Sequence, residues 1–109
     1  MNRVDDAELR ERRILGVLLA LREGEVTTYG DVADTAGYPK LARLVGRILA
    51  TTDREVPWWR VVNASGQLRA HDVREQTALL RAEGADVRDG RVRNAPSGRF
   101  SRRPPRSRP

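Results

Sequence analysis

Hydrophobic residues fall along this chain in short helical stripes separated by glycine and proline. Ile14, Val17, Leu18 and Leu21 recur at 3.6-residue spacing and predict a helix from about Asp6 to Arg22. Asp5 or Asp6 gives it an acidic start and Gly24 stops it. "VTTYG" (26–30) reads as a short extended link, and "DVADTAG" as a short helix ending at Gly37. "PKLARLVGRILATT" (39–52) is the strongest helical pattern: Pro39 suits a first turn, and Leu41, Leu44, Val45, Ile48 and Leu49 share a face. "RVVN" (60–63) predicts an extended segment and "NASGQL" (63–68) a turn. "HDVREQTALLRAEG" predicts a further helix, with Asp72 as N-cap, Glu75 three residues on and Gly84 as the stop. "VRDGRV" (87–92) has the Asp-Gly signature of a hairpin. The expected fold is mainly α: a small single domain over residues 1–93, with short extended segments.

Composition narrows the chemistry. The 109 residues suffice for one domain, which at this size buries only about 60–65% of its unfolded surface. With no cysteine, disulfides, thiolate metal sites and a cysteine nucleophile are excluded, in keeping with a reducing, cytoplasmic location. The single histidine, His71, is too little for a His-rich metal site, and no metal or cofactor is expected. The start of the chain lacks the apolar core of a signal peptide, and no run approaches a membrane span.

The net charge of +6 changes meaning once it is located. Residues 91–109 hold seven arginines and no acid, which leaves 14 basic against 15 acidic groups, a net of −1, in residues 1–90. From Asn94 on, the Pro, Ser and Arg content predicts a disordered basic tail, 94–109. Any nucleic-acid surface on the folded part must therefore be local. The segment "YGDVADTAGYPKLARLVGRIL" supplies one: short helix, glycine-containing turn and longer helix, the order of a helix-turn-helix. Lys40, Arg43 and Arg47 are spaced to share a face of the second helix, opposite its apolar stripe, and no acid lies between Asp34 and Asp53. Such a stripe suits phosphate contact. Ala42 and Gly46 beside the arginines leave that face without bulk, as a close backbone approach to a groove, or a helix–helix contact, requires.

"TTYGDVADTAGYPKLARLVGRIL", then "VPWWRVVNASGQL", then "LLRAEG" together resemble the DNA-binding, active-site domain of the O6-alkylguanine-DNA alkyltransferases, from about Ile14 to Val92. In that family a Tyr-containing segment, an "ARxVG" recognition helix and a "PCHRVV" active-site strand follow in this order. The resemblance implies the winged-helix-like fold of the enzymes' C-terminal domain. The family's reactive cysteine falls at Trp58 and its activating histidine at Trp59. Alkyl transfer needs a deprotonatable nucleophile and a nearby base, and an indole is neither. The chain thus resembles the alkyltransferase-like branch, which does not transfer the alkyl group, although its members usually read "PWHR".

That resemblance implies roles residue by residue. Trp58 would wall the lesion pocket with a flat apolar face, while Trp59, next in an extended segment, would point the other way into the core. Tyr29 matches the tyrosine that crowds the target phosphate and promotes nucleotide rotation. Arg43 matches the arginine inserted through the minor groove into the vacated stack. Arg60 and Glu83 match residues expected here to be structural, the relay from Glu83 to a histidine being broken by Trp59. A basic residue after the tryptophan lines the pocket in this branch, and either Arg69 or His71 can supply it. The implied function is non-enzymatic recognition and flipping of O6-alkylguanine in duplex DNA by a monomer, without membrane contact, that hands the lesion to nucleotide excision repair proteins. Two other classes compete: a helix-turn-helix transcriptional regulator, and a hydrolase or glycosylase built on His71, Asp72 or Glu83.

Overall fold

The first helix, α1 (Asp6–Leu19), opens with Asp6 and Glu8, where the helix dipole favours acids, and buries Ile14, Leu15 and Leu18. The computed structural model to which it belongs describes residues 6–101. α1 ends three residues before the Arg22 that periodicity predicts. Beyond it the Leu21 carbonyl accepts a bond from Arg60 Nη1 at 2.9 Å, a tertiary donor for a carbonyl that a helix end leaves unpaired.

Strand β1 (Glu25–Thr28) runs directly into α2 (Tyr29–Ala36). Thr28 caps the helix by accepting from the Asp31 N–H at 3.0 Å, and Gly37 closes it in the left-handed region at φ 94°. Tyr29 is therefore the first residue of a helix and not part of an extended link. α3 (Ala42–Thr51) begins later than the Pro39 of the sequence reading. Lys40 has φ 83°, a conformation that no right-handed helix contains, and the Leu41 N–H bonds back to the Tyr38 carbonyl in a turn. Lys40 thus lies outside the helix that carries Arg43 and Arg47, and the expected three-residue basic face reduces to two.

A one-turn 3-10 helix at Trp58–Arg60 leads into β2 (Val61–Val62). α4 (Val73–Ala82) has the predicted N-cap: Asp72 accepts from the Glu75 N–H at 2.9 Å. Then β3 (Asp86–Arg88) and β4 (Arg91–Asn94) pair antiparallel around Asp89 and Gly90, both at positive φ (54° and 70°), as an Asp-Gly hairpin requires.

The chain does not become a tail at Asn94. Ser97–Gly98 form β5, parallel to β1, in a sheet of order β2-β1-β5. Gly98 has φ 90°, and a Cβ there would collide with the Val26 carbonyl, so only glycine lets this segment close on β1. Ala95 is buried, and Phe100 packs on the core. Prolines and arginines gave the composition of disorder, but the alternation of small and apolar residues between them is enough to dock. The rest of the expected tail, 102–109, lies outside the described residues.

Two clusters make the core. Ile14, Leu18, Val32, Val45, Ile48 and Val61 belong to one, between the first three helices. Val26, Val62, Leu80, Val87 and Val92 belong to the other, under α4 and the hairpin. The adjacent Val61 and Val62 face different clusters, so β2 is the seam between them.

Candidate functional site

The Trp58–Arg60 turn sits at that seam, and its geometry revises the expected arrangement of the two indoles. A 3-10 turn rotates successive side chains by about 120°, not the 180° of a strand. The rings of Trp58 and Trp59 consequently meet edge to face, with centroids 6.0 Å apart and planes at 90°. Trp58 packs on the helical cluster and Trp59 on the other, but both stay half-buried and both line one cleft. Trp59 is not the buried core residue that strand alternation predicts.

Beneath the turn is a polar anchor. Glu83 Oε2 accepts from Trp59 Nε1 at 2.9 Å and from Arg60 Nη2 at 2.6 Å, while Oε1 accepts from Arg60 Nε at 2.9 Å and the Gly24 N–H at 3.0 Å. The side chains of Arg60 and Glu83 are each only 13% exposed, and the Arg60 guanidinium also lies over the Trp59 ring, 5.1 Å from its centroid. Burial pushes the Glu83 carboxyl pKa up, but the hydrogen bonds from Arg60, Gly24 and Trp59 and the Arg60 charge outweigh it and hold it below 4.5. Arg60 and Glu83 thus form a bidentate pair beneath the turn. Trp59 also donates to Glu83, from the position where the family's histidine falls. The indole N–H can only donate, so the bond orients the ring and creates no base.

A residue that the sequence reading passed over completes the anchor. Gln76 is fully buried, and its Nε2 donates to the carbonyls of Trp59 and Val61 at 3.2 and 3.1 Å. The signal was present: Gln76 and Leu80 stand four apart on the inward face of α4, and a glutamine on a buried stripe must find partners.

The cleft beside Trp58 has a volume of ≈ 810 Å³. Tyr29 at the head of α2, Gly46 on α3, and Arg69 and His71 from the loop before α4 line it with the two indoles. The His71 ring lies 5.3 Å from Trp58, tilted by 41°. Arg69 and His71 therefore both reach the cleft. Burial raises the Tyr29 phenol pKa above 10.0, and the nearby Arg69 charge partly offsets it. Gly46 faces this interior: a Cβ there would stand 3.9 Å from the Tyr29 ring. That is ordinary van der Waals contact, so the cleft has room for a methyl group at this position. Ala42 is half-buried at the start of α3, and Arg43 and Arg47 are exposed on the same helix, outside the cleft lining. Asp72 accepts at the α4 cap, and Glu83 accepts from Arg60, Trp59 and Gly24.

A helix-turn-helix with exposed arginines on its second helix and an aromatic-walled cleft beside it defines a class of DNA-binding domain. Residues 10–85 match the family model "6-O-methylguanine DNA methyltransferase, DNA binding domain", and the chain belongs to that family. It is 44% identical over 80 residues to the DNA base-flipping protein of Escherichia coli, covering 70% of this chain and 62% of that one. To alkyltransferase-like protein 1 of Schizosaccharomyces pombe it is 36% identical over 70 residues, covering 59% and 65% of the two chains. Among solved structures, S. pombe alkyltransferase-like protein in complex with DNA superimposes with a TM-score of 0.68 at 26% identity, over 94% of this chain and all of that one. The O6-methylguanine methyltransferase of Mycobacterium tuberculosis gives 0.61 at 34% identity, but this chain covers half of it. Membership of the family and the alkyltransferase-like fold are as the sequence motifs implied.

Proposed function

We propose that this domain recognises O6-alkylguanine in duplex DNA and leaves the alkyl group in place. α3 enters the minor groove, Arg43 fills the gap in the stack, and Tyr29 assists rotation of the damaged nucleotide into the cleft. Trp58 then supplies an apolar wall for the base and its alkyl group. The lesion passes to nucleotide excision repair.

One observation carries the reading. The cleft is large enough for a base, yet an indole stands where the family's nucleophile falls, and a second indole, with its N–H committed to Glu83, stands where the base falls. No cysteine occurs anywhere in the chain to substitute. The relatives support it: one is named a DNA base-flipping protein, and S. pombe alkyltransferase-like protein 1 is seen in complex with damaged DNA containing O6-carboxymethylguanine.

The test is a binding comparison between one duplex and the same duplex carrying a single O6-methylguanine, followed by mass spectrometry of both partners. Tighter binding to the lesion with unchanged masses is expected. Equal binding, an alkylated protein residue or a restored guanine would overturn the proposal.

A further inference from the structure

A second cleft, of ≈ 350 Å³, lies between the 63–67 turn and the C-terminal segment. Ser65, Arg91, Arg93, Arg99, Phe100 and Ser101 line it. Three arginines therefore line one small space. Arg99 bonds to Asp31 through Nη1, at 2.8 and 2.9 Å, which leaves the rest of its fork free of a carboxylate. Among the described residues, no acid pairs with Arg91 or Arg93. The Nε of Arg93 is buried and meets no acceptor among them. Crowded like charges with an unsatisfied N–H are unfavourable alone and become favourable when an anion joins them.

The backbone around them is built, not loose. The Val92 N–H donates to the Gly66 carbonyl at 2.8 Å. Gly66 has φ 88°, and a Cβ there would stand 2.9 Å from the Val92 carbonyl oxygen and 3.4 Å from Arg91 Cγ. The cluster is also outside residues 10–85, the span that the family model matches.

We infer that Arg91, Arg93 and Arg99 form a phosphate-binding site that grips the backbone of the same duplex whose damaged base occupies the main cleft. Two connections favour that source of phosphate. Ser65 precedes Arg69 by four residues, so their Cα atoms are at most ~14 Å apart. Asp31, which fixes Arg99, is in α2, whose first residue, Tyr29, lines the main cleft; two residues apart, their side chains leave opposite sides of the helix, so α2 spans from one site to the other. Segments that line the main cleft thus also frame the arginines. Phosphates recur every ~3.4 Å of rise along each strand, so a duplex seated on the main cleft offers phosphates at close intervals to either side of it. The fork of an arginine matches phosphate oxygens in pairs.

This inference rests on the DNA-binding reading above, and the experiment separates the two. The salt dependence of affinity is measured on lesion and undamaged duplexes for the wild type, for Arg91→Gln/Arg93→Gln and for Arg91→Lys/Arg93→Lys. Each lost phosphate contact lowers the slope of log K against log[salt] by ~0.9, so the glutamine pair should lower it by about 1–2 units on both duplexes. The lesion-to-undamaged ratio should stay unchanged and the lysine pair should recover most of the slope. An unchanged slope in a folded glutamine pair overturns the site and leaves lesion recognition standing. A wild type indifferent to the lesion overturns recognition, while the slopes still decide the site. Should the glutamine pair unfold, the arginine Nε–H resonances of the wild type decide: duplex must shift that of Arg93, and no shift overturns the inference. A shift with inorganic phosphate but none with duplex makes it a site for a free anion and also overturns it.

Discussion

Replacing Glu83 by alanine removes, in one step, the acceptor of four hydrogen bonds beneath the tryptophan turn. Arg60 would keep only the Leu21 carbonyl, and the Trp59 and Gly24 N–H groups would lose their acceptor. Leaving one member of a fully buried ion pair alone costs about 3–5 kcal/mol, and an exposed pair is worth about 0.2–1 kcal/mol. At 13% side-chain exposure the Arg60–Glu83 pair lies nearer the first limit, which gives about 2–4 kcal/mol. With an unfolding entropy of ~2.1 cal/mol/K per residue, that lowers Tm by about 9–17 °C. Circular dichroism melts check the figure, and pH checks its origin. The Glu83 pKa is depressed in the fold, so its contribution is complete above the ordinary carboxylate value of 4.5 and is lost as pH falls through the lower folded value. The gap in Tm between wild type and Glu83→Ala should therefore close in acid. A Tm within about 2 °C of wild type at neutral pH, or a gap independent of pH, would refute the reasoning.

Trp58→Ala should weaken binding to O6-alkylguanine duplex by about 1–3 kcal/mol, the worth of one base–aromatic contact, with a smaller loss on undamaged duplex. A full loss of fold in its melt would show that Trp58 is core. Arg43→Ala should lower lesion affinity by roughly 10–100-fold, whereas Arg47→Ala should weaken damaged and undamaged binding alike and reduce the salt slope by about one unit. Equal, lesion-independent losses would remove the distinction between the two. Truncation after Asn94 should lower Tm by at least ~5 °C, because it deletes β5 and Phe100 and uncovers β1; an unchanged melt would mean that β5 contributes nothing. Gly98→Ala should do similar damage through its clash with the Val26 carbonyl.

How far the sequence alone reached depends on whether a feature is local. The stripes of α1, α3 and α4, the Asp72 cap, the Asp-Gly hairpin and the helix-turn-helix order are set by spacings within a few residues, and all are read directly from the chain. The missing nucleophile is likewise a fact of residue type. What tertiary structure decided are the features in which distant segments compete for the same groups. Arg60, 39 residues away, supplies the donor for the Leu21 carbonyl just past the end of α1. The tryptophans form a 3-10 turn instead of a strand, held from α4 by Gln76 and Glu83, and this brings both indoles to one cleft. Lys40 leaves its helix for a left-handed turn. Ser97–Gly98 become a strand because β1 has a free edge and Gly98 can approach it; composition registers charge and proline, but not the edge that waits for this pair.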